Sequence, residues 1–425
     1  MSTAHRKLTF RPPIGVSFAP LKWTLMTEEL KISPPDYPFG REQTLELEPE
    51  FVELRQRCPV SRVRLPVGGE AWLATSYEAV KKVLADPAFS RQAATRPDAP
   101  RLSPELLPSR SIMALDPPEH TRLRRLIARA FTARRAEALR PRIRQIADEL
   151  LGRMESAGAP ADVAHHLALP LPLITVCELL GVPIGDRDEF SSFSDALTSR
   201  ELTTEQIAAA RRRFEDYLLT LVESRRGEPG DDLLSAMLKA QDEGDHLSDD
   251  ELVNIMVALL VGGRGSPAVF LTSAIYLLLR APAQLALLRN DHSLIPNAVE
   301  ELLRFIPIGV AGGFVRVATR DVELGGVTIA AGEAVLPAMI SANRDAAVFE
   351  EPDELDVTRK LNPHLGFGHG AHHCIGAPLA RVLATTALEA LLTRFPNLRL
   401  AADTDAPAWR QGKVVRSLTS LNVAW

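Results

Sequence analysis

One of the three cysteines in this 425-residue chain stands where a sulfur could do chemistry. Cys374 lies in the run Phe367-Gly368-His369-Gly370-Ala371-His372-His373-Cys374-Ile375-Gly376, and an apolar pattern of helical period starts directly after it. Glycines let backbone N–H groups come close to a sulfur, and the N-terminus of a helix favours negative charge. Pro378, in the first turn of that helix, fits the same boundary. A lone cysteine is more often a small buried hydrophobe than a ligand. The loop and the helix start suit a thiolate, the form that an iron porphyrin takes as an axial ligand, and the residues flanking the sulfur decide between the two readings.

Counted from the sulfur, phenylalanine stands seven residues before, glycines six and four before, histidine two before and glycine two after. That spacing resembles the cysteine loop of the cytochrome P450 family. The resemblance implies haem b (iron protoporphyrin IX) with the Cys374 thiolate as axial ligand, and it places Phe367 and Gly376 against the cofactor. It also implies a monooxygenase, which transfers one oxygen atom of O2 to its substrate. The two propionates of a largely buried haem need cations with good hydrogen bonds, because unpaired buried carboxylates are costly. His120, Arg124, Arg316 and His372 match the family's propionate positions. His120 and Arg124, in Asp116-Pro117-Pro118-Glu119-His120-Thr121-Arg122-Leu123-Arg124, share a helix face at i, i+4 spacing. Arg316 stands in Phe314-Val315-Arg316-Val317-Ala318, and His372 belongs to the cysteine loop.

Glu301-Leu302-Leu303-Arg304 matches the family's ExxR motif, although Glu119 to Arg122, Glu137 to Arg140 and Glu223 to Arg226 share its spacing. Only the pair at 301 and 304 lies suitably upstream of Cys374 and is followed by Ala342-Asn343-Arg344-Asp345, which resembles the segment contributing a third member. Glu301, Arg304 and Arg344 are therefore expected to form a structural network behind the haem, with no catalytic part. On the distal side of the iron the family usually carries Ala or Gly, Gly, any residue, Asp or Glu, then Thr, where the acid and the alcohol manage water and protons. This chain reads Gly262-Gly263-Arg264-Gly265-Ser266-Pro267, with Gly265 in the acid position and Ser266 in the alcohol position. Pro267 lacks an N–H and clashes with the carbonyl of Gly263, which predicts an opened helix whose freed carbonyls hold ordered water. Gly263, Gly265 and Ser266 are thus the expected distal catalytic positions. Proton delivery is expected through Ser266, backbone carbonyls and water, or through a hydroxyl of the substrate.

The elements that must position these residues are mostly helical. Amphipathic segments fall at about 76–86, 118–133, 139–156, 203–226, 249–280, 296–305 and 377–394. Ser248-x-x-Glu251 is a capping box that opens the longest of them, the expected core helix, which at ~1.5 Å per residue runs ~45 Å. Its apolar stretch from Ile255 to Leu279 carries Arg264 near the centre, which favours a buried helix over a membrane span. Short strand-like runs cluster at 60–75 and 314–337, with Gly325-Gly326 at the turn of a hairpin. The expectation is a mainly α protein with a small β lobe, the helical prism around a buried haem that the resemblance implies. No linker or repeat divides residues 41–425, which read as a single domain after an N-terminal extension of unreadable role at 1–40.

Composition narrows the partners. Hydrophobic residues make up 46% of the chain, enough for a large core, and a net charge of −5 gives no field for nucleic acid. Cys58, Cys177 and Cys374 are too scattered for a disulfide framework. Residues 9–26, broken by Pro12, Pro13, Pro20 and Lys22, form neither a signal sequence nor an anchor, so a cytoplasmic protein without membrane attachment is expected. Arginine supplies 41 of the 49 basic residues, and nine lie between Arg122 and Arg144 against one acid, Glu137. No GxGxxG follows a strand, so electrons must come from outside. By resemblance the arginine-rich stretch faces the cysteine side, where a ferredoxin or flavodoxin-type donor would dock near Arg122, Arg125 and Arg129.

Family resemblance lines the distal pocket with residues around 92–112, 191–200, Leu260 to Ser266 and Ile308 to Gly313. The small side chains of the last segment suggest room for a bulky hydrophobic natural-product intermediate, with a carrier protein as a further partner if the substrate arrives tethered. The leading expectation is oxygen insertion into that small molecule. Oxidative coupling, ring closure or peroxide-driven oxidation without insertion is the alternative, for which the missing acid matters less. A catalytically silent haem-binding scaffold is disfavoured, because it would need no thiolate.

Overall fold

The computed structural model describes residues 33–425 except 41–43, 104–107, 129–130, 187–189, 191, 194–195, 197–201, 243–246, 310–312, 403–406 and 411–414. Most of the expected N-terminal extension, Arg129, and parts of the pocket segments therefore lie outside the described residues.

Asp249–Arg280 forms one unbroken central helix of 32 residues. Its start is the expected capping box: Ser248 Oγ accepts the Glu251 N–H at 3.2 Å, and Glu251 accepts the Ser248 N–H at 2.9 Å. The helix packs along Pro170–Leu180 and also meets Thr204–Gly227 and Ala377–Arg394. Buried residues from Leu252 to Leu278 hold it in the interior. Pro267 does not open it, contrary to expectation. Only the Gly263 carbonyl loses its helical donor, since the proline nitrogen carries no hydrogen, and packing along both halves keeps the remaining turns closed.

Helices also form as expected at Tyr77–Ala85, Arg140–Ala157, Thr204–Gly227, Ile295–Phe305 and Ala377–Arg394. The segment expected at 118–133 divides. Glu119–Ala128 ends, and Ala133–Ala138 restarts where Thr132 accepts the Arg135 N–H at 3.3 Å. Pro170–Leu180 carries no amphipathic period because it is apolar on nearly every side, its contacts being with other helices.

The β lobe is a five-stranded sheet in the order Val60–Leu65, Gly69–Ala74, Ala334–Pro337, Arg316–Ala318, Phe89–Ser90. Its pairs are antiparallel except Gly69–Ala74 with Ala334–Pro337. Phe89 pairs with Ala318 and Ser90 with Val317, a register that delivers the chain after Ser90 to the side of Arg316. The expected hairpin joins Val322–Leu324 to Val327–Ile329 through Gly325 and Gly326, at φ of 57° and 86°.

Candidate functional site

Cys374 closes a loop held by three backbone bonds. Gly368 N–H donates to Leu365 O at 2.8 Å, His373 N–H to Gly370 O at 3.0 Å, and Cys374 N–H to Phe367 O at 2.8 Å. At Gly370, with φ of +71°, a Cβ would stand 2.6 Å from the Leu84 carbonyl oxygen, so only glycine lets the loop lie against the end of Tyr77–Ala85. The cysteine helix, Ala377–Arg394, begins three residues after the sulfur with Pro378 in its first turn. Cys374 remains exposed on one side, yet enough protein surrounds it that burial raises its thiol pKa. The N–H groups of Gly376 and Ala377 and the guanidiniums of Arg124 and Arg381 pull the other way. Those are the donors a thiolate needs, and a metal on the sulfur completes the ionisation, because a coordinating thiol is deprotonated outright. Phe367 carries the Arg381 guanidinium 4.7 Å from its ring centre, and Glu300 fixes Arg381 at 2.6 and 2.9 Å.

Beside the loop the structure gathers cations. The rings of His120 and His372 lie 4.0 Å apart, Arg124 donates to the His373 carbonyl, and Arg316 donates to the Phe89 carbonyl at 3.3 Å. All four residues expected at the propionates therefore lie on adjoining elements. Sequence reasoning missed a further buried arginine beside them. Arg91 is 8% exposed, its guanidinium sits 4.3 Å above the Phe314 ring, and its Nη2 has no hydrogen-bond partner. Burial, then Arg316, lowers the Arg91 pKa to about 9, and burial lowers that of Arg316 to about 10. Burial and neighbouring cations push His120 down to about 4 and His372 to about 2. Asp116 is the opposing acid; it accepts from the Ser90 hydroxyl and from the Arg91 N–H at 3.0 Å.

Glu301 and Arg304 form the expected buried pair, at 2.7 and 2.8 Å. The second guanidinium on Glu301 belongs to Arg359, at 3.0 Å, with Asn362 at 3.1 Å and the Asp356 N–H at 3.0 Å. Arg344, expected in that place, instead bonds Asp353 at 3.0 Å and the Phe305 carbonyl at 2.9 Å and stacks on the Phe305 ring. The physical reason is that Arg304 already fills the Arg344 side of the carboxylate, extending to the carbonyls of Asn343, Pro352 and Glu354.

On the central helix, Gly262 and Ser266 are exposed midway along an element whose other exposed residues, Asp250 and Arg280, lie at its ends. A Cβ built at Gly262 or Gly265 meets no heavy atom within 4 Å. Helical geometry puts these three residues on one face. Gly263 points elsewhere: its Cβ would meet Val176 Cγ2 at 2.8 Å, so this glycine serves the close approach of Pro170–Leu180. Gly313 is likewise small because the Pro337 carbonyl lies 2.4 Å from where a Cβ would be.

In the basic stretch, Arg122 pairs with Glu251, Arg140 with Glu137, Arg142 with Glu178 and Arg144 with Asp148. Arg125, Arg134 and Arg135 are exposed and have no carboxylate partner among the described residues. Four of the nine arginines are therefore neutralised, Arg144 within its own helix and the others by acids outside theirs.

An exposed thiol backed by N–H donors, next to an excess of cations with an orphaned guanidinium nitrogen, fits a dianionic ligand whose metal takes one sulfur. Residues 190–415 match the cytochrome P450 family. Nocardicin C N-oxygenase of Nocardia uniformis subsp. tsuyamanensis is 51% identical over 391 residues, 92% of this chain and 98% of that protein. Mycinamicin IV hydroxylase/epoxidase of Micromonospora griseorubida is 47% identical over 393 residues, 92% of this chain and 99% of that one. The crystal structure of HinD with NMFT and NO has a TM-score of 0.89 at 46% identity, covering 93% of this chain and 100% of that one. With likeness at this level along nearly the whole length, the chain belongs to the cytochrome P450 family, as a monooxygenase that carries haem b on the thiolate of Cys374.

Proposed function

We propose that this enzyme inserts one oxygen atom into a hydrophobic natural-product intermediate, using electrons from a ferredoxin or flavodoxin-type donor. The observation that carries the reading is the face of the central helix made by Gly262, Gly265 and Ser266, which presents backbone and one hydroxyl. Haem, when bound, supplies the activation of dioxygen. The chain supplies the surroundings of that step. Gly265 has no side chain to pass a proton, so Ser266 is the protonic side chain of the face. The Gly263 carbonyl, left without a helical donor by Pro267, is an acceptor for water beside it. Bare backbone also admits a bulky substrate close to the cofactor, where a substrate hydroxyl or amine can join the proton path.

The two relatives act on different bonds: one is an N-oxygenase, the other a hydroxylase and epoxidase. A shared scaffold with different outcomes favours selection of the bond by how the substrate is held. Of the arginines expected at the donor's docking face on the cysteine side, Arg125 has an exposed guanidinium that supports docking there, with Arg134 and Arg135 of the same stretch exposed as well, within a single cytoplasmic domain spanning 41–425. The test is turnover of hydrophobic natural-product intermediates, free and carrier-linked, under labelled dioxygen with a surrogate ferredoxin. The expected product contains one labelled atom, and its precursor shifts the haem band to high spin on binding. Unlabelled product formed with consumption of reductant would move the function to coupling or ring closure.

A further inference from the structure

Arg91 is the residue whose surroundings are least explained by the protein itself. It follows directly on Ser90, the end of the sheet's edge strand, where the pairing of Ser90 with Val317 sets it beside Arg316. Asp116 pins its backbone N–H at 3.0 Å and also holds Ser90, so the main chain at this point is fixed from the turn that leads into the helix carrying His120. The side chain is nine-tenths buried, stacked on Phe314, with Nη2 lacking any partner. Leaving a charged donor buried and unsatisfied is costly, and Phe314 offers only the face of a ring. Arg91 acts electrostatically on His120, His372 and Arg316, three of the residues placed at the propionates. The guanidiniums of Arg91, Arg124 and Arg316 stand against the single carboxylate of Asp116, leaving two positive charges before either imidazole is counted. Haem b brings two carboxylates.

We infer that Arg91 is a haem-propionate ligand, its Nη2 donating to a propionate oxygen while Phe314 holds the guanidinium plane from the other side. The inference rests on the haem and is independent of which substrate the enzyme oxidises. It makes Phe314, half exposed beside the Arg91 guanidinium, a positioning residue for a cofactor contact.

The test is the rate at which holoenzyme surrenders haem to excess apomyoglobin, read optically, for the wild type, Arg91→Gln and Arg91→Lys. Losing a charge-assisted hydrogen bond should speed haem loss about tenfold in Arg91→Gln, with Arg91→Lys in between because it keeps the charge without the fork. A looser fold would speed loss as well, so the same rates are measured after reconstitution of the full chain with haem dimethyl ester, which has no propionate charge. The variant should then lose the ester no faster than the wild type does. Equal acceleration for both porphyrins overturns the inference and makes Arg91 a purely structural residue. An unchanged rate for haem, with weaker binding of carboxylate-bearing ligands than of their esters, also overturns it and gives the guanidinium to the substrate. Either failure leaves a full haem band, and so leaves the haem-thiolate reading intact.

Discussion

On the proton path proposed above, Ser266 supplies the side-chain hydroxyl on the open face made with Gly262 and Gly265. Ser266→Ala should therefore reduce the yield of product per reductant consumed by about tenfold, less than the ~10²–10⁴ of a sole positioned proton donor because water and backbone carbonyls remain, while the haem spectrum stays unchanged. Ser266→Thr should keep the coupling. Full coupling in the alanine variant would hand the route to water, backbone carbonyls or the substrate. Residues that act within one short loop are legible in the sequence alone: the cysteine, its glycines and His372 lie within ten consecutive positions. Arg91 is not, since a lone arginine after a short strand has no pattern, and its meaning comes from Arg316, brought beside it by strand pairing. Arg359 is hidden for a related reason. It reaches Glu301 across 58 residues, and no spacing rule singles it out from the neighbouring Arg344.

At the scale of elements, helices with their own start signals are the readable ones. Ser248 and Thr203 each head a capping box, and both helices begin where those boxes put them. What sequence does not carry is which face of a helix meets which neighbour, and the glycines of the central helix show the difference. Gly263 and Gly265 stand two residues apart, yet a Cβ on one would press against Val176 and a Cβ on the other would meet open space. Gly263→Ala should lower the thermal midpoint by crowding Val176, an overpacking cost of about 1–3 kcal/mol partly offset by ~1 kcal/mol of helix propensity. Val176→Ala in the same protein should restore part of the loss, so that the double variant is more stable than the two single effects added. Gly265→Ala should leave the midpoint level or raise it. If Gly263→Ala melted no lower than Gly265→Ala, the close approach of the two helices would not need glycine.

Across the whole molecule, Glu300 ties the Ile295–Phe305 helix to the cysteine helix through Arg381, and to the approach of the cysteine loop through His364 at 3.0 Å. Burial alone would raise its carboxyl pKa, but hydrogen bonds from His364 and Arg381 outweigh it and hold the group at about 2, below the ordinary 4.5. A carboxylate depressed in the folded state stabilises above its unfolded pKa and loses that contribution as pH falls. Wild-type protein should therefore shed stability between pH 4.5 and 2 through this group, and Glu300→Gln should flatten that part of the acid-unfolding curve, followed by the haem band. Superimposable curves for the two proteins would remove Glu300 from the acid response. The glycine face of the central helix sets a direction for change in the molecule as a whole. Glycine is the smallest residue there is, so if this face is the wall of the substrate site proposed above, every substitution at Gly262 or Gly265 can only thicken it. On that proposal, mutation on this face narrows the range of substrates and any gain of room comes from other residues.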